Sequence, residues 1–336
     1  MKICIFGDVH WSQYSSIVRQ RGERFSIRLE NLIQSMNWVE DMTRKYSCGM
    51  CISLGDFFDN STIDAESIAA LREVEWNKIQ HIVVAGNHEM ARVDNCYSSA
   101  IALSFFPFIH VMTTLNQLRI YDEENVCNLM FLPYVLEPDK CALDKTFVKY
   151  ERNYLFSHND LKDVNYGSFI SKTGFSVDDI SAVCDRCFNG HIHNEGICGD
   201  NIINVGNLTG QNFSEDATKY RHKIIMLDTE TDEITILENP YAMNFYKVDN
   251  LSDVRKDNAV VTLKTSDMSQ KDKLQNMKNV IAYKVIADVR KASKKAESVS
   301  SKDVINIDHL KMFSDYVHNN MGDTEIINQE LSEVLS

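Results

Sequence analysis

The chain of 336 residues is 44% hydrophobic and 25% charged, a balance that fits a soluble globular protein with one large core and a smaller second body. Its net charge of −13 argues against a surface built simply to wrap DNA, and its four prolines argue against long Pro-rich linkers. Nine cysteines, an odd number in a chain with no export signal, are expected to be reduced thiols.

The N-terminus is apolar only over residues 3–6 before Asp8 and His10 intervene, which leaves no room for a signal-peptide core. Lys2–Phe6 reads instead as a buried strand. Residues 25–45 form the clearest amphipathic helix, with Phe25, Leu29, Leu32, Ile33, Met36 and Val39 on one face. A strand is expected at 50–54, a helix at 64–78, a strand at 81–85 and a shorter helix at 98–105. The most apolar later stretch, residues 100–112, holds Pro107 and His110 and is too short to span a membrane. A cytoplasmic protein, of a prokaryote or of a phage-infected cell, is therefore expected. Further strands are expected at 128–132, 153–156, 186–189 and 201–205. This alternation predicts an α/β fold, with helices covering a sheet or a pair of sheets.

Residues 223–228 and 233–237 read as a hairpin about a turn at Thr229–Asp232. After Asn239-Pro240 the pattern changes. Residues 241–291 suggest a small domain, with strands at 259–263 and 280–287 around a polar helix near 267–278. A Ser/Lys/Ala/Glu-rich linker comes next at 292–303, then a helical tail at 304–336. The tail carries a stripe of Ile307, Leu310, Phe313 and Val317, which suits either a partner's groove or the chain's own domain. Charge is uneven: residues 251–303 hold 12 Lys/Arg against 7 Asp/Glu, a local net of +5, leaving −18 for the rest. Two C-x-x-C pairs, Cys48/Cys51 and Cys184/Cys187, could together hold zinc, although Cys51 falls in an apolar run and reads as a buried strand thiol.

Five polar clusters, each closing an apolar run, carry the chemistry: Gly7-Asp8-Val9-His10, Gly55-Asp56-Phe57-Phe58-Asp59, Gly86-Asn87-His88-Glu89, Ser157-His158-Asn159-Asp160 and Gly190-His191-Ile192-His193. In layered α/β folds, sites form beyond the C-terminal ends of strands. The pairs Asp8/His10 and His191/His193 are spaced i,i+2, which points both side chains to one side of an extended backbone. Asp8, His10, Asp56, Asn87, His158, His191 and His193 together offer two carboxylates, a carboxamide and four imidazoles. Such a set suits two manganese, iron or zinc ions better than magnesium, with Asp56 as the bridge. Two-metal sites mostly cleave phosphate esters. The other five histidines (His81, His110, His222, His309 and His318) read as ordinary polar residues.

These clusters resemble the pattern D-x-H, G-D-x-x-D, G-N-H-[DE], H and G-H-x-H of the calcineurin-like metallophosphoesterase superfamily, over roughly residues 1–240. Within it the chain is most similar to the SbcD-type nuclease subunit of DNA double-strand-break repair, including its compact phage forms. Gly55-Asp56-Phe57-Phe58-Asp59 resembles that branch's G-D-[LI]-F-D. Asn204-Val205-Gly206-Asn207 through Phe213-Ser214-Glu215 to Leu227-Asp228-Thr229 resembles its G-S/T-P…F-x-E…D segment, with Leu208 where the branch has Pro. Ser157 stands where many phosphoesterases have Gly.

The resemblance implies a four-layer α/β/β/α sandwich with a small α+β capping domain and a C-terminal helical tail. It implies two divalent ions, manganese by expectation. Asp8, His10, Asp56 and His193 would hold one, and Asp56, Asn87, His158 and His191 the other. His88 would contact the scissile phosphate, while Asp59 and Glu89 would support loops. The implied activity is a DNA nuclease, 3′–5′ exonucleolytic on duplex ends and endonucleolytic on single strands and hairpins. It would work as a homodimer with an SbcC-like coiled-coil ABC-type ATPase; the helices near 64–78 and 98–105 are the candidates for the dimer contact, their apolar residues serving either that contact or the core. A protein phosphatase or nucleotide phosphodiesterase is the alternative. A non-enzymatic binding module would have no need to keep the full donor set and His88.

Overall fold

In the computed structural model, which describes residues 1–15, 17–92, 97–122, 125–164 and 170–286, the layering begins in the alternation of the first strand. Along β1 (Lys2–Phe6), Ile3 and Ile5 point into one apolar cluster while Cys4 and Phe6 point into another. A strand with apolar residues on both faces must be covered on both. β1 continues in parallel with β2 (Met50–Ser53), β3 (Gln80–Val84) and β4 (Ile109–Met112).

A second sheet is then built from β5 (Asn116–Asp122), β6 (Asn125–Leu132), β7 (Arg152–Ser157), β8 (Arg186–Asn189), β9 (Gly196–Cys198) and β10 (Ile202–Asn204), in the order β5-β6-β7-β8-β10-β9. The hairpin β11 (Lys223–Asp228) and β12 (Glu233–Glu238) returns to the first sheet and completes the order β12-β11-β1-β2-β3-β4.

Ile3, Ile5, Ile52, Ile82 and Val84 of the first sheet meet Leu129, Phe131, Phe156 and Phe188 of the second in one core. Phe131, Phe156 and Phe188 are register partners on β6, β7 and β8, and their rings stack at 5.6 and 5.7 Å. The outer face of the first sheet is covered by α1 (Ile27–Lys45) and α2 (Ala65–Leu71), through Leu29, Leu32, Met36, Val39, Ala70 and Leu71. The outer face of the second is covered by α3 (Leu143–Thr146) and α4 (Val177–Val183), through Leu143, Ile180 and Val183. The result is the expected four-layer α/β/β/α sandwich.

The chain then adds a three-stranded parallel sheet, β13 (Asn244–Val248), β14 (Ala259–Lys264) and β15 (Val280–Ile286), with α5 (Met268–Gln275) crossing between β14 and β15. One face packs Phe245, Val260 and Ala282 against Val18 and Met243. The other packs Tyr246, Val261 and Leu263 against Leu274 of α5.

Two helices differ from expectation. α2 stops at Leu71 rather than reaching 78, because side chains of α1 and Trp76 capture the groups that would continue it. Glu75 N–H donates to Asn37 Oδ1, Asn77 N–H to Glu40 Oε2, and Trp76 Nε1–H to the Leu71 carbonyl. Residues Ser99–Phe105 form a 3₁₀ helix capped by Ser98. The short strands β4, β5, β9 and β13 and the helices α3 and α4 had no strong periodicity to announce them.

The two C-x-x-C pairs lie in the opposite outer layers of the sandwich, Cys48 and Cys51 against α1 and Cys184 and Cys187 beside α4, so they cannot share a zinc ion. No described helix is long and apolar enough to cross a membrane. The chain divides into units Met1–Ala287 and Asp288–Ser336. The expected linker and the tail stripe Ile307, Leu310, Phe313 and Val317 lie outside the described residues.

Phe156 is fully buried at the centre of the ring stack between the sheets. Truncation there leaves a cavity that rigid sheets cannot close, so Phe156→Ala should destabilise the protein by about 3–5 kcal/mol in urea titration.

Candidate metal centre

The strands deliver the five clusters to one edge. β1, β2 and β3 run parallel, as do β7, β8 and β10, so the loops after them leave from the same end of each sheet. The first two loops are tied directly. Val9 and His10 N–H both donate to the Asp56 carbonyl, at 3.1 and 2.9 Å. Three of the candidate ligands, His10 (φ 49°), Asp56 (φ 45°) and His191 (φ 72°), occupy the left-handed region. Each such residue costs on the order of 1–3 kcal/mol and persists only where the surroundings hold it.

Two glycines show how closely the loops approach. A Cβ on Gly86 would lie 2.2 Å from Asp56 Oδ1, and one on Gly55 (φ 101°) would lie 2.3 Å from His158 Nδ1. Only the missing side chain lets the β2 and β3 loops close onto these groups.

The structure brings all seven candidate ligands together. Donor atoms of Asp8, His10 and His193 lie within 4.8 Å of one another, as do those of Asp56, His158 and His191 and those of His10, Asp56 and His88. Asn87 Oδ1 sits 3.1 Å from His158 Nε2 and 2.8 Å from His191 Nδ1.

Each imidazole turns one ring nitrogen to a protein acceptor. His10 Nδ1 meets Asp59 Oδ1 at 3.0 Å, and His193 Nδ1 meets Glu215 Oε1 at 2.6 Å. His158 Nδ1 meets the Leu54 carbonyl at 2.6 Å, and His191 Nε2 meets Asp160 Oδ1 at 3.3 Å. Each outer nitrogen thus has an acceptor for its proton, and the other nitrogen is aimed inward, as in metal-ligating histidines.

The surroundings of those lone pairs test the fit. His10 Nε2 and His193 Nε2 face each other at 2.9 Å, and buried Asp8 Oδ2 beside them has no hydrogen-bond partner. His158 Nε2 faces Asp56 Oδ2 at 3.1 Å as well as Asn87 Oδ1. At both points ring nitrogens and carboxylate or carboxamide oxygens crowd together, an arrangement that only a shared proton or a bound cation can satisfy.

Both points favour positive charge, which a proton supplies where no cation is bound. Burial pushes the His158 imidazole down, but the Asp56 and Asp8 carboxylates outweigh it and lift the group to about 9. Glu215 does the same for His193, again to about 9, against the same penalty. In return His193 draws Glu215 down to about 2 despite its burial. Burial, and then the charge of Asp56, push Glu89 up to about 8.

Asp59 and Glu89 support loops as expected. Asp59 orients His10 and its carbonyl meets His88 Nδ1 at 3.0 Å. Both Glu89 oxygens accept backbone N–H groups, from Phe58 and Gly86 at 2.9 Å each. His88 stands at the open side, 42% exposed in its side chain. Sequence reasoning gave no role to Asp160, Glu215 or Gln211. Asp160 stands in the fourth cluster and Glu215 in the F-x-E segment, but nothing local reports what they orient, and such partners lie up to 152 residues away.

The family model for calcineurin-like phosphoesterases matches residues 1–244. Among solved structures, the chain is similar to a dimetal phosphatase from Danio rerio, at 14% identity over 71% of this chain and 95% of that one, with a TM-score of 0.41. It is also similar to an archaeal phosphodiesterase, at 12% identity over 71% and 99% with a TM-score of 0.34. The phosphoesterase YfcE from E. coli is 13% identical over 71% and 100%, with a TM-score of 0.32. Likenesses this distant carry no argument about function. Among curated proteins none matches.

Two outcomes check the site. Gly86→Ala forces a methyl group into Asp56 and should abolish divalent-cation binding in calorimetry. Chelated protein returned to a divalent cation at about 100 times its Kd should gain about 2.7 kcal/mol, raising Tm by roughly 5 °C or more in scanning fluorimetry; an unchanged Tm would exclude cation binding here.

Proposed function

The chain belongs to the calcineurin-like phosphoesterase family, a family of metal-dependent hydrolases, and from that premise we propose that it is a DNA nuclease of the SbcD type using two manganese ions. The observation that carries phosphoester cleavage is the pair of points where imidazole, carboxylate and carboxamide ligands converge beside an exposed imidazole. In this reading Asp8, His10, Asp56 and His193 hold one ion, and Asp56, Asn87, His158 and His191 hold the other. Ions bound there would supply positive charge to the phosphate oxygens and would acidify a water for attack.

The chain's own residues do the rest. Asp59 and Glu215 keep His10 and His193 in the ligating tautomer. His88, held through Nδ1 by the Asp59 carbonyl, leaves Nε2 free to carry a proton to the leaving oxygen, as a general acid must.

DNA is preferred over a phosphoprotein because of the three-stranded sheet appended to the sandwich. A phosphatase has no evident use for this third, appended sheet. Residues 244–286 carry eight Lys/Arg against five Asp/Glu in a chain whose net charge is −13. A basic body appended to an acidic catalytic one suits backbone contact with a polyanion. Homodimerisation and an SbcC-like ATPase partner belong to the same proposal. Ile68 (52% exposed), Ile101 (44%) and Phe105 (91%) offer an apolar face for the former.

The proposal predicts that wild-type protein with manganese releases nucleotides from end-labelled duplex DNA. His88→Ala should lower that rate by about 10²-fold or more with metal affinity unchanged. Phosphate release from a phosphopeptide with intact DNA would instead establish a phosphatase.

A further inference from the structure

Arg28 is fully buried in the first turn of α1. Among the described residues no carboxylate lies within salt-bridge distance of it. A guanidinium held this way is costly, and burial pushes it down to about 10. Its two bonds to backbone carbonyls explain its place. Nη2 donates to the Val9 carbonyl at 3.2 Å, between Asp8 and His10. Nη1 donates to the Gly210 carbonyl at 2.7 Å.

The residue after Gly210 is Gln211. Its backbone N–H donates to Glu215 Oε2 at 2.7 Å and its Nε2 donates to Asp59 Oδ1 at 2.6 Å. Those two carboxylates are the ones that orient His193 and His10. The same segment reaches both ligand loops through its backbone: Leu208 N–H donates to the Asp8 carbonyl at 2.9 Å and Asn207 N–H to the His193 carbonyl at 3.2 Å. One planar fork thus grips the Asp8–His10 loop with one arm and, with the other, the segment that steers the two imidazoles.

We propose that Arg28 is a positioning residue for one half of the metal centre, fixing the separation of His10 and His193 by bridging the Val9 and Gly210 carbonyls. The inference rests on the reading that those two imidazoles share a cation. His158 and His191 are held instead by the Leu54 carbonyl and Asp160. Among the described residues neither of these groups bonds to Arg28 or to residues 207–211; the other half meets this one only through Asp56 and the His191 N–H bond to Asp8 Oδ1, so it should weaken less.

Two substitutions separate geometry from charge. Lysine keeps the charge but cannot bridge two carbonyls as a rigid fork; Arg28→Met removes both. Manganese binding to metal-stripped, full-length protein is measured by calorimetry. Wild type should bind two ions. Arg28→Lys should bind one of them about 10-fold or more weakly, the usual scale for changes behind a ligand, with the other weakened clearly less. Arg28→Met should show the same selective loss.

Wild-type affinity in Arg28→Lys with tighter binding in Arg28→Met would overturn the proposal, since Arg28 would then act only by its charge. Equal weakening of both ions, or failure of both variants to fold, would overturn it too, making Arg28 a general strut. Wild type that binds no manganese would overturn the underlying reading along with it.

Discussion

The side chain and backbone of Asp56 constrain almost everything around them. Its carbonyl receives two N–H groups from the β1 loop, its Oδ1 receives the His88 N–H, and its Oδ2 faces His158 from β7. Gly86 lacks a side chain where Asp56 stands. Loops from three strands of one sheet and one strand of the other therefore meet on a single carboxylate. Burial alone would raise its pKa, but the imidazoles of His158 and His10 reverse that and keep it ionised. A buried anion of this kind sets the sign of every partner it can accept, and the four imidazoles are the partners at hand.

The sandwich makes that meeting possible without a large moving part. Parallel strands end their loops on one edge, and the Phe131, Phe156 and Phe188 stack locks the register of β6, β7 and β8. His158 and His191 come directly after β7 and β8, so the precision of the core is inherited by the ligands. Strain at His10, Asp56 and His191 is tolerated because hydrogen bonds on both sides over-determine those residues.

Much of this arrangement is legible in the sequence. Each ligand cluster sits at the end of an apolar run, and a strand leading into a polar turn announces itself locally. α1 is legible because its apolar stripe is long. α2 is shorter than its own pattern suggests because Asn37 and Glu40, on another helix, capture the N–H groups of Glu75 and Asn77. No pattern within residues 64–78 reports that. The same reason hides Gln211 and the pairings of Glu215 and Asp160, although both acids stand inside recognisable motifs. A ligand must be a His, Asp or Asn at a strand end, whereas the group that orients it need only arrive through space. Arg28 is harder still, since a basic residue in the first turn of an amphipathic helix reads as surface.

The buried polar face of α1 also ties the small sheet to the metal centre. Arg28, Asn31 and Ser35 lie at spacings of three and four, so they share one stripe. Arg28 grips the Gly210 carbonyl, Asn31 meets Thr209 and the Tyr241 carbonyl, and Ser35 meets Asn239, which also donates to the Leu208 carbonyl. Met243 closes the set, its N–H on Thr209 Oγ1 and its carbonyl on the Gly210 N–H. Residues 239–243 lead straight into β13, so the entry to the three-stranded sheet and the segment that steers His10 and His193 are bonded to the same helix face. An apolar stripe would have packed just as well against the sandwich. A polar one specifies position: backbone carbonyls and hydroxyls accept only where donors stand, so the small sheet and the metal centre share one frame of reference. A displacement of β13 against α1 would have to break hydrogen bonds that also define the ligand geometry.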